Sequence, residues 1–304
     1  MGCARVIKGY IRILTKIYFT YHAMKKQRFF KQVDVFSAQP YFGNPLAVVL
    51  DGTGLSDAEM QRFANWTNLS ETTFLLPPST PEADYLVRIF TASRELPFAG
   101  HPTLGSCHAW LQAGGLPKQP NVIVQECGAG LVKIQRNEKQ LAFAAPKLLR
   151  SGPVDADTLA QVAASLGISF DDIVQHQWVV NGPQWLAVLL RSAEQVLAIK
   201  PNFAAMGHLD LGVVGAYAPG SACQFELRAF AGGDGGGVED PVTGSLNAGV
   251  AQWLMGAQLA PDHYVASQGT VLGRSGRVYL SRDADGQVWV GGEAVTCIDG
   301  VVLI

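Results

Sequence analysis

The sequence contains no CxxC pair, and its five cysteines (Cys3, Cys107, Cys127, Cys223, Cys297) are odd in number and widely spaced. That pattern argues against a disulfide framework. It fits free, mostly buried thiols in a reducing compartment, so a cytoplasmic location is expected. No stretch approaches eighteen consecutive uncharged apolar residues, so no membrane span is expected. Charged residues make up only 16% of the chain and the formal net charge is −2, which leaves no electrostatic case for a nucleic-acid partner. Residues 232–237 are rich in glycine but lack the Lys and Ser/Thr of a phosphate-binding loop. Thr243-Gly-Ser-Leu-Asn is not a nucleophile elbow, and no GxGxxG leads a strand into a helix. His101 and His108 would stand about 10 Å apart along a helix, too far to share an ion, so no metal is expected.

What remains is a chain of 304 residues, 48% hydrophobic, which folds as a globule and has room for two domains. Its charge is unevenly spread, with eight of the 23 Lys and Arg and no acid in residues 1–33. This leader fails as a signal peptide, because Arg12 and Lys16 interrupt any apolar core and no small-residue cleavage site follows. Gly2 lacks the Ser or Thr that a myristoylation site needs. The aromatic and basic mix suits contact with a membrane surface or organelle targeting. The simpler reading is an upstream extension over residues 1–28, with Met24 as the natural start.

The most informative feature is a unit that occurs twice. The first copy runs Arg88-Ile-Phe90, then Glu95-Leu-Pro-Phe-Ala-Gly100-His101-Pro-Thr-Leu-Gly105. The second runs Arg228-Ala-Phe230, then a glycine-rich insert, then Glu239-Asp240-Pro-Val-Thr-Gly244-Ser245-Leu-Asn-Ala-Gly249. Each begins as a strand and ends in Gly-x-x-x-x-Gly opening an apolar helix, so two halves of similar fold are expected. Two helix N-termini facing each other across a cleft would clamp a small anion. Around these units the patterning predicts mostly short strands and a few helices, including one capped by the box Ser56-Asp-Ala-Glu59. The Pro-rich stretch 146–153 marks the junction between halves 29–147 and 148–304, and the last strand is free to return to the first half. The fold class is α+β: two pseudo-symmetric domains, each a mixed sheet wrapped around a central helix.

Glu71, at the loop-to-strand junction Asn68-Leu-Ser70-Glu71-Thr-Thr-Phe74, is a candidate general acid/base if burial raises its pKa. The plainer alternative is a solvated loop carboxylate. His101 stands near the N-cap of the first central helix, where it either caps, packs or takes part in proton transfer. Asp240 either orients His101 or a substrate, or serves as a turn residue before Pro241. Ser245 caps the second helix by default and otherwise binds a carboxylate.

Together, Gly43-Asn44-Pro45-Leu-Ala-Val48, the Ser-Glu-Thr motif at Glu71, the block from Glu95 to Gly105 and Glu239-Asp240-Pro-Val-Thr-Gly-Ser245 resemble the PhzF-like family of phenazine-biosynthesis isomerases. The resemblance covers roughly residues 29–304. It implies the diaminopimelate-epimerase fold, with the active site in the cleft between two similar domains. It implies that Glu71 is the main acid/base and that His101 and Asp240 assist the proton shuttle. Ser70, Ser245, Asn44 and the Gly100 and Gly244 amides would hold a carboxylate-bearing metabolite. The implied reaction is a proton shift within a small unsaturated carboxylic acid, without cofactor, in a homodimer. Where the epimerases have two cysteines at the helix starts, this chain has His101 and Ser245, which disfavours a two-thiol racemase. A binding protein that keeps the fold without catalysis is the other alternative. Two features depart from the family pattern. Asn247 stands where a His is more usual, and the insert 232–237 reads as a mobile flap.

Overall fold

The computed structural model describes residues 26–137, 139–232 and 237–304. The basic leader up to residue 25 and the centre of the glycine-rich insert lie outside the described residues, and so do the readings made of them. Gln27 and Arg28, assigned by sequence to the leader, already belong to the first strand, Gln27–Val35, whose neighbour Lys26 donates its N–H to the Ile304 carbonyl.

One pairing scheme is used twice. In the first half, Gln27–Val35 pairs antiparallel with Asn44–Val49, which pairs parallel with Thr72–Leu76, which pairs antiparallel with Tyr85–Phe90. Tyr85–Phe90 takes a two-residue strand, Glu95–Leu96, antiparallel and Val122–Cys127 parallel. Val122–Cys127 then continues antiparallel through Gly130–Arg136 to Leu141–Ala144. The second half repeats every step. Ile173–Val180, Trp185–Leu190, Asp210–Ala216 and Phe225–Ala231 follow the same order and senses. Val238–Asp240 and His263–Gln268 then flank Phe225–Ala231, and Gly276–Arg282 and Val288–Gly292 complete the run.

Each half has two parallel steps, and each step needs a crossover. In the first half helix Asp57–Thr67 makes the earlier one, started by the predicted Ser56–Glu59 capping box and stopped by Asn68 in the left-handed region at φ 54°, and helix Gly100–Gln112 makes the later one. In the second half the short helices Ala193–Ala198 and Phe203–Met206 make the earlier one and helix Gly244–Gly256 the later one. Two pairings stitch the halves together: Leu141–Ala144 with Val288–Gly292, and the last strand, Ala294–Leu303, with Gln27–Val35. Within the second half, Arg150–Gly152 pairs with Ile173–Val180.

Each sheet wraps a helix that is almost entirely buried: Gly100–Gln112 in the first half and Gly244–Gly256 in the second. The second glycine of each Gly-x-x-x-x-Gly motif explains how these helices seat. A Cβ on Gly105 would lie 2.6 Å from a Leu46 methyl, and one on Gly249 would lie 2.6 Å from the Val179 carbonyl oxygen. Only glycine lets helix and sheet approach so closely. One apolar core runs through both halves, from Val35, Leu46 and Leu104 to Leu246, Val250 and Val290.

Three short strands escaped the sequence reading. Glu95–Leu96 and Val238–Asp240 read as loop, and Arg150–Gly152 lies within the Pro-rich stretch read as the junction between halves. Two or three residues are too few to show a period. Ile173–Val180 is longer than its apolar end, Val179-Val180, suggested, because Gln175, His176 and Gln177 mask the alternation.

Candidate active site

The two central helices meet start to start. A Cβ on Gly244 would lie 3.1 Å from Gly100 Cα and 3.3 Å from the His101 nitrogen. The first turns occupy equivalent positions: Ala99 and Thr243 are the N-caps, Gly100 and Gly244 the first helical residues, His101 and Ser245 the second. Neither N-cap makes a side-chain capping bond. The capping roles entertained for His101 and Ser245 are therefore corrected: both stand one turn position inside the helix. Uncapped starts leave first-turn amides free for a ligand, and both dipoles present their positive ends at the seam.

Glu71 reaches this seam from the residue before strand Thr72–Leu76. Its Oε2 lies 3.4 Å from His101 Nε2, with side chains 15% and 6% exposed. The solvated-loop alternative fails on this burial. Burial raises the Glu71 pKa to about 8, helped by the neighbouring Asp240 charge. Burial pushes His101 down to about 3, against a hydrogen bond to the Pro45 carbonyl. Because Nε2 has no hydrogen-bond partner, that bond belongs to Nδ1. The imidazole is thus neutral near pH 7, with Nδ1–H on the backbone and the Nε2 lone pair turned to Glu71.

Asp240 approaches from the second half, at the end of strand Val238–Asp240. Asn44 Nδ2 donates to its Oδ1 at 3.0 Å and Thr243 Oγ1 to its Oδ2 at 2.5 Å. Burial raises its pKa to about 6, with both hydrogen bonds opposing. Asn44 also donates to the Val242 carbonyl, so this first-half residue is docked on the second half. Asp34 holds the turn before it by accepting the Gly43 N–H at 2.8 Å.

Ser245 is half-buried, and Trp185 Nε1 donates to its Oγ at 2.9 Å. An indole N–H only donates, so the hydroxyl proton of Ser245 is left for another acceptor. Asn181 Nδ2 donates to the Ser245 carbonyl at 2.8 Å. Ser70 stands exposed on the turn before Glu71, outside the hydrogen-bonded cluster. Of the residues singled out by sequence, the structure thus gathers Glu71, His101, Asp240, Asn44, Gly100, Gly244 and Ser245, and leaves Ser70 at the edge. Sequence reading missed Trp185, Asn181, Thr243 and Gln268. Thr243 lay inside the recognised motif, but nothing local marks the other three. Among the described residues no group of His, Cys, Asp and Glu could hold a metal ion. No helix among them is long and apolar enough to cross a membrane.

A two-half epimerase-like fold with a raised glutamate at the meeting of its central helices defines the class. The family model for phenazine biosynthesis-like protein (PhzC-PhzF) matches residues 33–300, and the chain belongs to this family. Antisense-enhancing sequence 1 of Schizosaccharomyces pombe is 37% identical over 291 residues, covering 89% of this chain and 97% of that protein. The trans-2,3-dihydro-3-hydroxyanthranilate isomerase of Pseudomonas aeruginosa is 31% identical over 259 residues, 84% of this chain and 90% of that one. The crystal structure of a PhzF-family phenazine biosynthesis protein from Bacillus anthracis superposes with a TM-score of 0.77 at 25% identity, covering 92% of this chain and all of that one.

Proposed function

We propose that the protein is an isomerase that moves a proton within a small unsaturated carboxylic acid, with Glu71 as the base that removes and returns it. The observation that carries this reading is the buried Glu71–His101 pair at the junction of two uncapped helix starts. The substrate carboxylate sits at the first-turn amides of Gly100 and Gly244 and accepts the Ser245 hydroxyl proton, which Trp185 leaves free. Glu71 then lies beside the carbon that loses its proton. A carboxylate with its pKa raised to about 8 is a far stronger base than an ordinary one, at the cost that only about a tenth of it is ionised at pH 7. Neutral His101 stands 3.4 Å from Glu71 and adds no competing positive charge. A two-thiol racemase is disfavoured, since burial drives the Cys107 thiol up to about 12 and neither central helix starts with a cysteine.

The first probe is trans-2,3-dihydro-3-hydroxyanthranilate, which a relative isomerises. With this acid or another that turns over, kcat/KM is expected to rise with pH through about 8, as Glu71 loses its proton. Glu71→Gln is expected to lower kcat by about 10²-fold or more. In heavy water the product should carry deuterium at the carbon that gains the proton. Full turnover by Glu71→Gln would end this reading. Binding without deuterium uptake would support a non-catalytic binding protein instead.

A further inference from the structure

Gln268 is fully buried at the end of strand His263–Gln268 and spends its side chain on four hydrogen bonds, all to the segment that carries Asp240 and the second helix start. Its Oε1 accepts the Thr243 backbone N–H at 3.0 Å and Asn247 Nδ2 at 2.8 Å. Its Nε2 donates to the Asp240 carbonyl at 3.1 Å and to Thr243 Oγ1 at 2.9 Å. The direction of each bond is fixed by chemistry. A backbone N–H can only donate, so the atom facing it is the amide oxygen, and the amide nitrogen must face Thr243 Oγ1. That hydroxyl therefore accepts from Gln268, and its single proton is left for Asp240 Oδ2, 2.5 Å away. Asn247 fits the same pattern. It sends Nδ2 to the Thr243 carbonyl and to Gln268, which places it behind the site with no proton to exchange.

The geometry points to Thr243 as a positioning residue: locked by Gln268, it aims its hydroxyl proton at Asp240 and holds that carboxylate ionised beside Glu71. This rests on the reading of Asp240 as part of the catalytic cleft. On the other Asp240 oxygen, Asn44 Nδ2 is also an unambiguous donor, because it bonds the Val242 carbonyl as well. The titratable groups facing Asp240 are Glu71, whose proton affinity its charge raises, and His101 beyond it. Other charged groups nearby are engaged elsewhere. Arg228 is paired with Glu239, and Arg274 donates to the Tyr41 and Gly43 carbonyls. Among the described residues Asp240 has two side-chain donors and no facing cation, so the hydroxyl of Thr243 is one of two direct hydrogen bonds holding its charge. In the proposed reaction this splits the two carboxyls into unlike roles, Asp240 ionised and Glu71 carrying the proton.

The test reads Asp240 itself rather than turnover, so it stands or falls separately from the isomerase reading. In the full chain labelled with ¹³C at aspartate carboxyls, the Asp240 resonance, assigned by its loss in Asp240→Asn, is followed with pH. Thr243→Val keeps the shape and removes the donor, and its Asp240 midpoint is expected to rise by about one unit. Thr243→Ser, which keeps the hydroxyl, is expected to restore the original midpoint. Gln268→Met should shift it the same way as Thr243→Val, by less, because the hydroxyl is then free to turn. A Thr243→Val midpoint that stays put or falls, or a Thr243→Ser protein that does not restore it, overturns the proposal.

Discussion

Replacing Glu71 by Gln is expected to raise stability while it removes turnover. In the folded protein Glu71 keeps its proton up to about pH 8, whereas in the unfolded chain it gives the proton up near 4.5. Folding therefore binds a proton between these values, and stability falls as pH rises through that window. Gln has no proton to lose, so the variant should be more stable by on the order of 2–4 kcal/mol at pH 8, a gap that closes toward pH 4.5. Thermal unfolding at both pH values checks this, and a variant that melts below the parent at pH 8 would contradict it. His101 has the opposite sign. Its folded pKa of about 3 lies below the ordinary 6.5, so its contribution is intact above 6.5 and is lost as pH falls toward 3. At this scale the motifs made Glu71, His101 and Asp240 legible. Trp185 was not, because it lies 60 residues from the Ser245 it polarises.

The element that the duplication marked but did not explain is the Arg-x-Phe strand end. In the first half, Arg88 grips the Glu95 carboxylate with Nε and Nη2 at 2.7 and 2.6 Å and reaches Asp57 on the crossover helix at 2.7 Å. In the second half, Arg228 grips Glu239 at 2.8 Å with both nitrogens and donates to the Val196 and Ile199 carbonyls of the crossover. Each guanidinium also lies over the Phe two residues on. The clamp pins a strand of two or three residues next to the site, where sequence periodicity has nothing to work with. Its two copies differ in burial: Arg88 and Glu95 are 24% and 42% exposed, Arg228 and Glu239 are 2% and 9%. Glu95→Gln should therefore cost at most about 1 kcal/mol. Glu239→Gln should cost about 3–5 kcal/mol, because it leaves a buried guanidinium without its charge partner. Urea unfolding of the two variants decides; equal costs would mean that burial does not separate the copies.

For the molecule as a whole, the closing strand is the critical join. Ala294–Leu303 pairs along the whole of Gln27–Val35 and brings Asp299 to the buried Lys31 amine at 2.6 Å. A chain cut after Glu293 would expose that strand edge and leave Lys31 without its counter-ion, so it should lose its cooperative thermal transition. A truncated chain that melts cooperatively within a few degrees of the parent would show the join to be dispensable. The sequence by itself marked the repeated strand–loop–helix unit, the glycine-led starts of two small-residue, apolar helices and the three candidate side chains Glu71, His101 and Asp240. Caps, periodicity and glycine act over a few neighbouring residues, so they can be read along the chain. Only the tertiary structure decided how the two helix starts touch, which oxygen each donor reaches and how far each carboxyl is raised. Those depend on burial and on the direction of hydrogen bonds between residues remote in sequence, and neither exists until both halves have closed around the seam.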